Sequence, residues 1–187
     1  MNQFYEAVLP AAGPYCVVGI KQGAVRTSFH RDIGALAAQG DSLAASGFDA
    51  YFAVCNFNDP AAGRKTTNAN HLRALFLDID CGPGKGYPDP ATAAAALRAF
   101  VERHKLSIPS VVLSGGGLHV YWPLPRDTPV AAWSPLAHAL RALCKQSQLH
   151  IDPGVTVDAV RILRMPGTWN HKTTPPRPVQ LLRNATR

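Results

Sequence analysis

The chain has no Cys-x-x-Cys pair and no paired Cys/His spacing. Its four cysteines, Cys16, Cys55, Cys81 and Cys144, are scattered, which argues against a zinc knuckle and for buried free thiols. No basic segment leads into an apolar run near the start, and Glu6 stands where a signal peptide would carry positive charge. No stretch is apolar enough to span a membrane, so no membrane partner is expected and a cytoplasmic protein is. No Gly-Lys-Ser/Thr follows the one glycine run, which excludes a P-loop. Acidic residues are scarce: 12 Asp and Glu against 19 Lys and Arg leave a formal charge of +7, the balance of a protein with an anionic partner. Charged residues make up only 17% and hydrophobic ones 47%, the proportions of a folded globular chain. At 187 residues it is long enough to bury a core as one domain, and 16 prolines with 15 glycines imply many loops.

The positive charge is unevenly placed. Residues 1–73 carry six basic residues against five acidic ones. Residues 153–187 carry Arg161, Arg164, Lys172, Arg177, Arg183 and Arg187 against Asp158 alone. Tyr15–Lys21 and Ala24–Phe29 read as a hairpin around Gln22-Gly23. Arg31–Ser46 reads as a helix with Ile33, Leu36, Ala37, Leu43 and Ala44 inward, open to a break at Gly40 and stopped by Gly47. Asp49–Phe57 is an aromatic-rich strand, and 58–70 a polar, basic loop. Asp89-Pro90 supplies an N-cap and a first-turn proline for a helix running to about Lys105. Ser110–Leu113 and Leu118–Trp122 read as short strands. Val130–Leu149 is an amphipathic helix burying Trp133, Leu136, Ala137, Leu140, Leu143 and Cys144. Val160–Met165 and Val179–Leu182 are two further strands. This alternation predicts a sheet domain of the α/β or α+β class.

Three stretches carry chemistry. In Arg73-Ala74-Leu75-Phe76-Leu77-Asp78-Ile79-Asp80-Cys81-Gly82 an apolar strand delivers two carboxylates and stops. A strand sends residues i and i+2 to one face, so Asp78 and Asp80 point the same way and repel. A hard divalent cation such as Mg²⁺ or Mn²⁺ relieves that repulsion with oxygen ligands; a plain solvated strand end is the alternative. In Ser114-Gly115-Gly116-Gly117-Leu118-His119 the glycines let backbone N–H groups approach an anion, and His119 follows as a donor to a phosphate or hydroxyl. The alternative there is a glycine hairpin with a half-buried histidine. The third stretch, from Ile151-Asp152 through Asp158 to Arg161, Arg164, Thr168, Asn170 and Lys172, sets an acid before two arginines and a polar turn, able to clamp a triphosphate. Asp158 is placed to pair with Arg161, and Arg177 to Arg187 read as a solvated basic rim.

Together these stretches resemble the archaeo-eukaryotic primase superfamily, and within it the bacterial, phage and plasmid primase-polymerases. The matching motifs are Asp78-Ile79-Asp80, the turn from Ser114 to His119, Ile151-Asp152, and the tail from Arg161 to Lys172, over roughly residues 48–173. The resemblance implies an α+β fold: an RRM-like antiparallel catalytic sheet with flanking helices and a smaller N-terminal α/β lobe. The whole chain, 1–187, would be one catalytic domain, with about 1–70 as the N-terminal lobe and 71–187 as the catalytic lobe. It implies template-directed nucleotidyl transfer to a primer 3′-end. Asp78, Asp80 and Asp152 would hold two Mg²⁺ or Mn²⁺ ions, and Ser114, Gly116, Gly117, His119, Arg161, Arg164 and Lys172 would hold the nucleotide. The partners implied are a DNA template and primer, a (d)NTP, and a helicase or C-terminal helical domain that this chain does not show. The setting implied is bacterial, phage or plasmid. Two other functions stay open. In a haloacid dehalogenase-type phosphohydrolase Asp78 would be the nucleophile and Asp80 the acid/base, although Cys81-Gly82-Pro83 stands where Gly-Thr is usual. A non-catalytic replication initiator or nucleic-acid-binding sheet would explain the charge but not the three acids.

Overall fold

In a computed structural model of the chain, describing residues 1–185, one antiparallel sheet runs through the molecule. Arg187 lies outside the described residues. Helix α1 (Asn2–Val8) precedes the hairpin β1 (Tyr15–Lys21) and β2 (Ala24–His30). The hairpin closes on Gln22 and Gly23, both at positive φ, the backbone a two-residue turn needs to follow strand twist. Next come α2 (Ile33–Ala45), β3 (Asp49–Phe57), β4 (Ala69–Asp80), α3 (Pro90–Arg103), β5 (Ser110–Leu113) and β6 (Gly117–Pro129). The chain ends with α4 (Val130–Gln146), the single turn α5 (Pro153–Thr156), β7 (Ile162–Arg164), the small pair β8 (Trp169–Asn170) and β9 (Arg177–Pro178), and β10 (Gln180–Arg183). The strand order is β10-β5-β6-β4-β3-β1-β2, with β7 also on β3. Every pairing between these strands is antiparallel, so the α+β class with a large helix-flanked sheet holds.

The helix starts follow their caps: Asp32 accepts from the Ala35 N–H at 2.8 Å, and Asp89 from the Thr92 N–H at 2.8 Å. Gly40 does not break α2. It is buried against Met165, where a Cβ would have no room. Leu136, expected inside, is exposed; the buried face of α4 is Trp133, Ala137, Leu140 and Cys144. Strands β4 and β6 are longer than their apolar runs suggest, because the two pair along their length and cover each other's polar residues.

Two apolar cores flank the sheet. One gathers α1, α2, β1 and β3 with Tyr121, around Phe4, Tyr5 and Phe52. The other packs Leu77, Ile79, Leu118 and Val120 against Leu97 and Phe100 of α3 and Leu140 of α4. Strand β3 is buried along all nine residues and serves two partners on one edge. Cys55 and Phe57 pair with the start of β4, whereas Tyr51, Phe52 and Ala53 pair with β7. The sheet therefore forks at β3, with β4 on one arm and β7 on the other.

Candidate active site

The fork holds the chemistry. On the β4 arm the register sets Asp78 opposite His119 and Asp80 opposite Gly117, so the first acid and the histidine share a face. Their neighbours Leu77, Ile79, Leu118 and Val120 alternate to the other face and anchor both strands in the second core. On the β7 arm Arg164 sits opposite Tyr51, with its guanidinium 5.1 Å from that ring. A cavity of about 640 Å³ lies between the arms. The acids Asp78, Asp80 and Asp89 line it together with His119, Arg164, Lys172 and Arg177.

The glycine turn forms one wall. Ser114, Gly115 and Gly116 line the cavity. Gly115 has φ +77, and a Cβ there would come within 2.8 Å of the Asn170 Cβ. Gly117 serves differently from its expected place in a phosphate-cradling turn. It is the first residue of β6, and a side chain there would collide with the Ile79 carbonyl, so its role is close strand approach. Asn170 Nδ2 donates to the Ser114 carbonyl at 3.2 Å, and Arg177 donates to the Gly115 carbonyl at 3.4 Å. The segment carrying Lys172 is thereby clasped to the turn. Arg177 is exposed, as its sequence context suggested, and it also lines the cavity.

Asp49, with no signal in sequence, organises the cationic arm. Its buried carboxylate accepts from the His171 N–H at 2.7 Å, the His171 ring at 3.0 Å and Arg164 at 3.4 Å. Burial raises its pKa, but these hydrogen bonds and the Arg164 charge outweigh that and hold it below the usual carboxylate range. Arg161, expected among the nucleotide ligands, is not a cavity wall, and its Nε is buried without a partner. Its charge still reaches Asp78 and His119.

The acids show strain of the kind a cation removes. Burial drives the Asp78 carboxyl up to about 6, with Asp80 and Asp152 adding repulsion. The Asp152 N–H donates to the Asp78 carbonyl at 2.8 Å, so the third acid is stitched to the first by main chain. It faces a neighbouring cavity of about 310 Å³, shared with Asp80 and Lys85. Asp158 lies elsewhere: its carboxylate accepts from the Val160 N–H at 3.0 Å, and no Asp158–Arg161 ion pair forms. As the side chains stand, no three His, Cys, Asp or Glu among the described residues form a ready metal cage. Asp80 is turned to Lys85 at 2.8 Å, and Asp152 caps α5 through the Gly154 and Val155 N–H groups. The donors nonetheless fit a divalent ion in kind, since all three are carboxylates. The half-exposed Asp80–Lys85 pair that must open is worth little.

His119 is buried, and its Nδ1 has no partner. Burial, then the Arg164 and Arg161 charges, push its pKa down to about 3. Its Nε2 stands 3.8 Å from Asp78, but a neutral imidazole at that distance makes neither an ion pair nor a hydrogen bond.

This architecture, an antiparallel α+β sheet flanked by helices, is a fold shared with solved primase and primase-polymerase domains. No family model and no curated sequence matches the chain. Among solved structures, the chain is similar to the archaeo-eukaryotic primase domain of the cyanophage S-2L primase-polymerase, with 20% identity and a TM-score of 0.66. That match covers 94% of this chain and 83% of the other. It is also similar to the primase RepB', at 14% identity and a TM-score of 0.62, covering 97% of this chain and 54% of that one. The catalytic domain of RepB' in complex with initiator DNA gives 14% identity, a TM-score of 0.60, and 97% and 81% coverage. The chain thus spans about half the length of the longer RepB' structure. No described helix is long and apolar enough to cross a membrane.

Proposed function

We propose that the chain is the catalytic core of a DNA primase-polymerase, adding nucleotides to a primer 3′-end as a template directs. We take 1–187 as one catalytic domain acting in the cytoplasm of a bacterial, phage or plasmid system. The observation that carries the reading is that one 640 Å³ cavity is lined both by the carboxylates Asp78 and Asp80 and by the cations Arg164, Lys172 and Arg177. A nucleoside triphosphate needs both: carboxylates where metal and reacting phosphorus meet, and cations along the rest of its phosphates. Asp78, Asp80 and Asp152 would hold two Mg²⁺ or Mn²⁺ ions, which when bound activate the primer hydroxyl and neutralise developing charge.

The chain's own groups bind and orient. Arg164, fixed by Asp49 and stacked on Tyr51, presents a guanidinium whose direction is set before nucleotide arrives. Lys172 and Arg177 add charge on the clasped segment. Burial and the two arginine charges favour a neutral His119, which suits a hydrogen-bond donor to a phosphate oxygen better than a general base, whose pKa should lie near the working pH. Incubation with a primed template, labelled dNTPs and Mg²⁺ or Mn²⁺ tests the reading. Templated extension is expected. Phosphate release from a small ester would select the phosphohydrolase, and binding without extension the initiator.

A further inference from the structure

The catalytic reading leaves one large surface unused. A groove of about 940 Å³ runs along the C-terminal half of α4, bordered by His138, Arg141, Lys145 and His150. Its lining contains no acidic residue, and the chain from Thr128 to Ile151 contains none either. His138, Lys145 and His150 are exposed and Arg141 half-exposed. The groove is continuous with the site: it shares His150 and Ile151 with the 310 Å³ cavity of Asp152 and Lys85, which in turn shares Asp80 with the nucleotide cavity. Three cavities thus form one track that is basic at both ends and acidic at the junction.

We propose that the α4 groove carries the sugar-phosphate backbone of the primer strand, delivering its 3′-terminal hydroxyl to Asp80 and Asp152. The inference rests on the nucleotidyltransferase reading and assigns the strand that the nucleotide cavity leaves without a path. The order of the cavities decides which strand. The acids lie between the groove and the nucleotide cavity, and on the nucleotidyltransferase reading the reacting hydroxyl and the metal ions meet there, so the strand in the groove ends at the junction, as a primer does, and keeps its phosphates beside Arg141 and Lys145. His150 marks the bend: its backbone N–H donates to the Tyr87 hydroxyl at 3.1 Å and its ring packs edge-on to Tyr87, so the exposed imidazole is held in place at the mouth.

The test is the salt dependence of binding a labelled primer–template by wild type and by the Arg141→Gln, Lys145→Gln double variant, in Ca²⁺ to prevent turnover. Among the described residues the Arg141 side chain hydrogen-bonds only to the exposed His138, at 3.0 Å, and Lys145 makes no ion pair, so melting temperature and nucleotide affinity should be unchanged. Each phosphate contact on a duplex contributes about 0.9 to the slope of log K against log salt, so the variant's slope should fall by about 1.8, which is roughly a 60-fold weaker affinity at 0.1 M salt for an unchanged value at 1 M. Neutral methylphosphonates near the primer 3′-end should erase the difference between the proteins, and the same change in the template strand should not. An unchanged slope, or erasure by the template substitution instead, overturns the inference while the nucleotidyltransferase reading stands. Wild type that neither binds nor extends the primed template removes both.

Discussion

Replacing Asp78 by Asn should make the metal-free protein more stable and leave it inactive. The carboxyl pKa lies at about 6 in the folded state against 3.8 for an unperturbed side chain, a difference of about 2 units. Each unit is worth 1.36 kcal/mol, so the ionised group costs the fold about 3 kcal/mol at pH 7. The sign follows from a raised carboxylate pKa. Below the unfolded value both states are protonated and nothing is lost; stability falls as pH rises through the folded value and levels off above it. The Asn side chain does not ionise. Its advantage over wild type should therefore be near zero below pH 4, grow between pH 4 and 6, and reach about 3 kcal/mol by pH 7. For a chain of this size that is roughly 6–12 °C in melting temperature.

The assay is thermal or urea unfolding of both proteins in chelator across pH 4 to 7, repeated with Mg²⁺ or Mn²⁺. Metal should raise the wild-type melting temperature by mass action and do so far less in the variant, so the two curves converge or cross. An Asn variant no more stable than wild type at pH 7 in chelator would refute the electrostatic argument. Equal metal-induced shifts in both proteins would refute the assignment of Asp78 as a ligand.

The other expectations concern the remaining site residues. His119→Ala should weaken nucleotide binding by about 1.5–3 kcal/mol, the range for a hydrogen bond to a charged group; unchanged affinity with collapsed turnover would point to a catalytic base instead. Asp152→Asn should eliminate primer extension, whereas Asp158→Asn, which loses only a local turn contact to the Val160 N–H, should keep measurable activity. A live Asp152 variant beside a dead Asp158 variant would reverse the two. Asp49→Asn should raise the KM for nucleotide by freeing Arg164 and destabilise the fold by roughly 1–3 kcal/mol at pH 7. Because the Asp49 pKa is held down, its stabilisation is present above the ordinary carboxylate range and lost as pH falls through the folded value; urea unfolding at pH 7 and pH 3 should show the difference between the proteins shrinking.

What was legible in the sequence is what short-range periodicity encodes. Asp78 and Asp80 share a face because the strand period is two. Helix α3 starts where Asp89 caps it, and Gln22-Gly23 sets a hairpin of fixed register. Contacts that join distant segments were not legible. Asp49 meets His171 across 122 residues and Arg164 across 115, and no local pattern announces either. Arg177 looked like one more surface cation because the turn that Gly115 makes beneath it lies 62 residues earlier. Leu136 obeyed the helical spacing of its neighbours but sits at the margin of the face that α4 buries.

The forked sheet has a consequence for how such a site can vary. The separation of the β4 and β7 arms is set by main-chain pairing along β3, a strand buried over its full length. Side chains on either arm can be exchanged without altering that separation, so the gauge and the grip are separate parts. Cys81 and Thr173 face the cavity but belong to neither the acid set nor the cation set, so changes there would alter its lining and leave both arms in place. A substitution that thickens β3 itself, for example at Ala50 or Ala53, would do the reverse: it would keep every ligand and spoil the spacing for all of them at once.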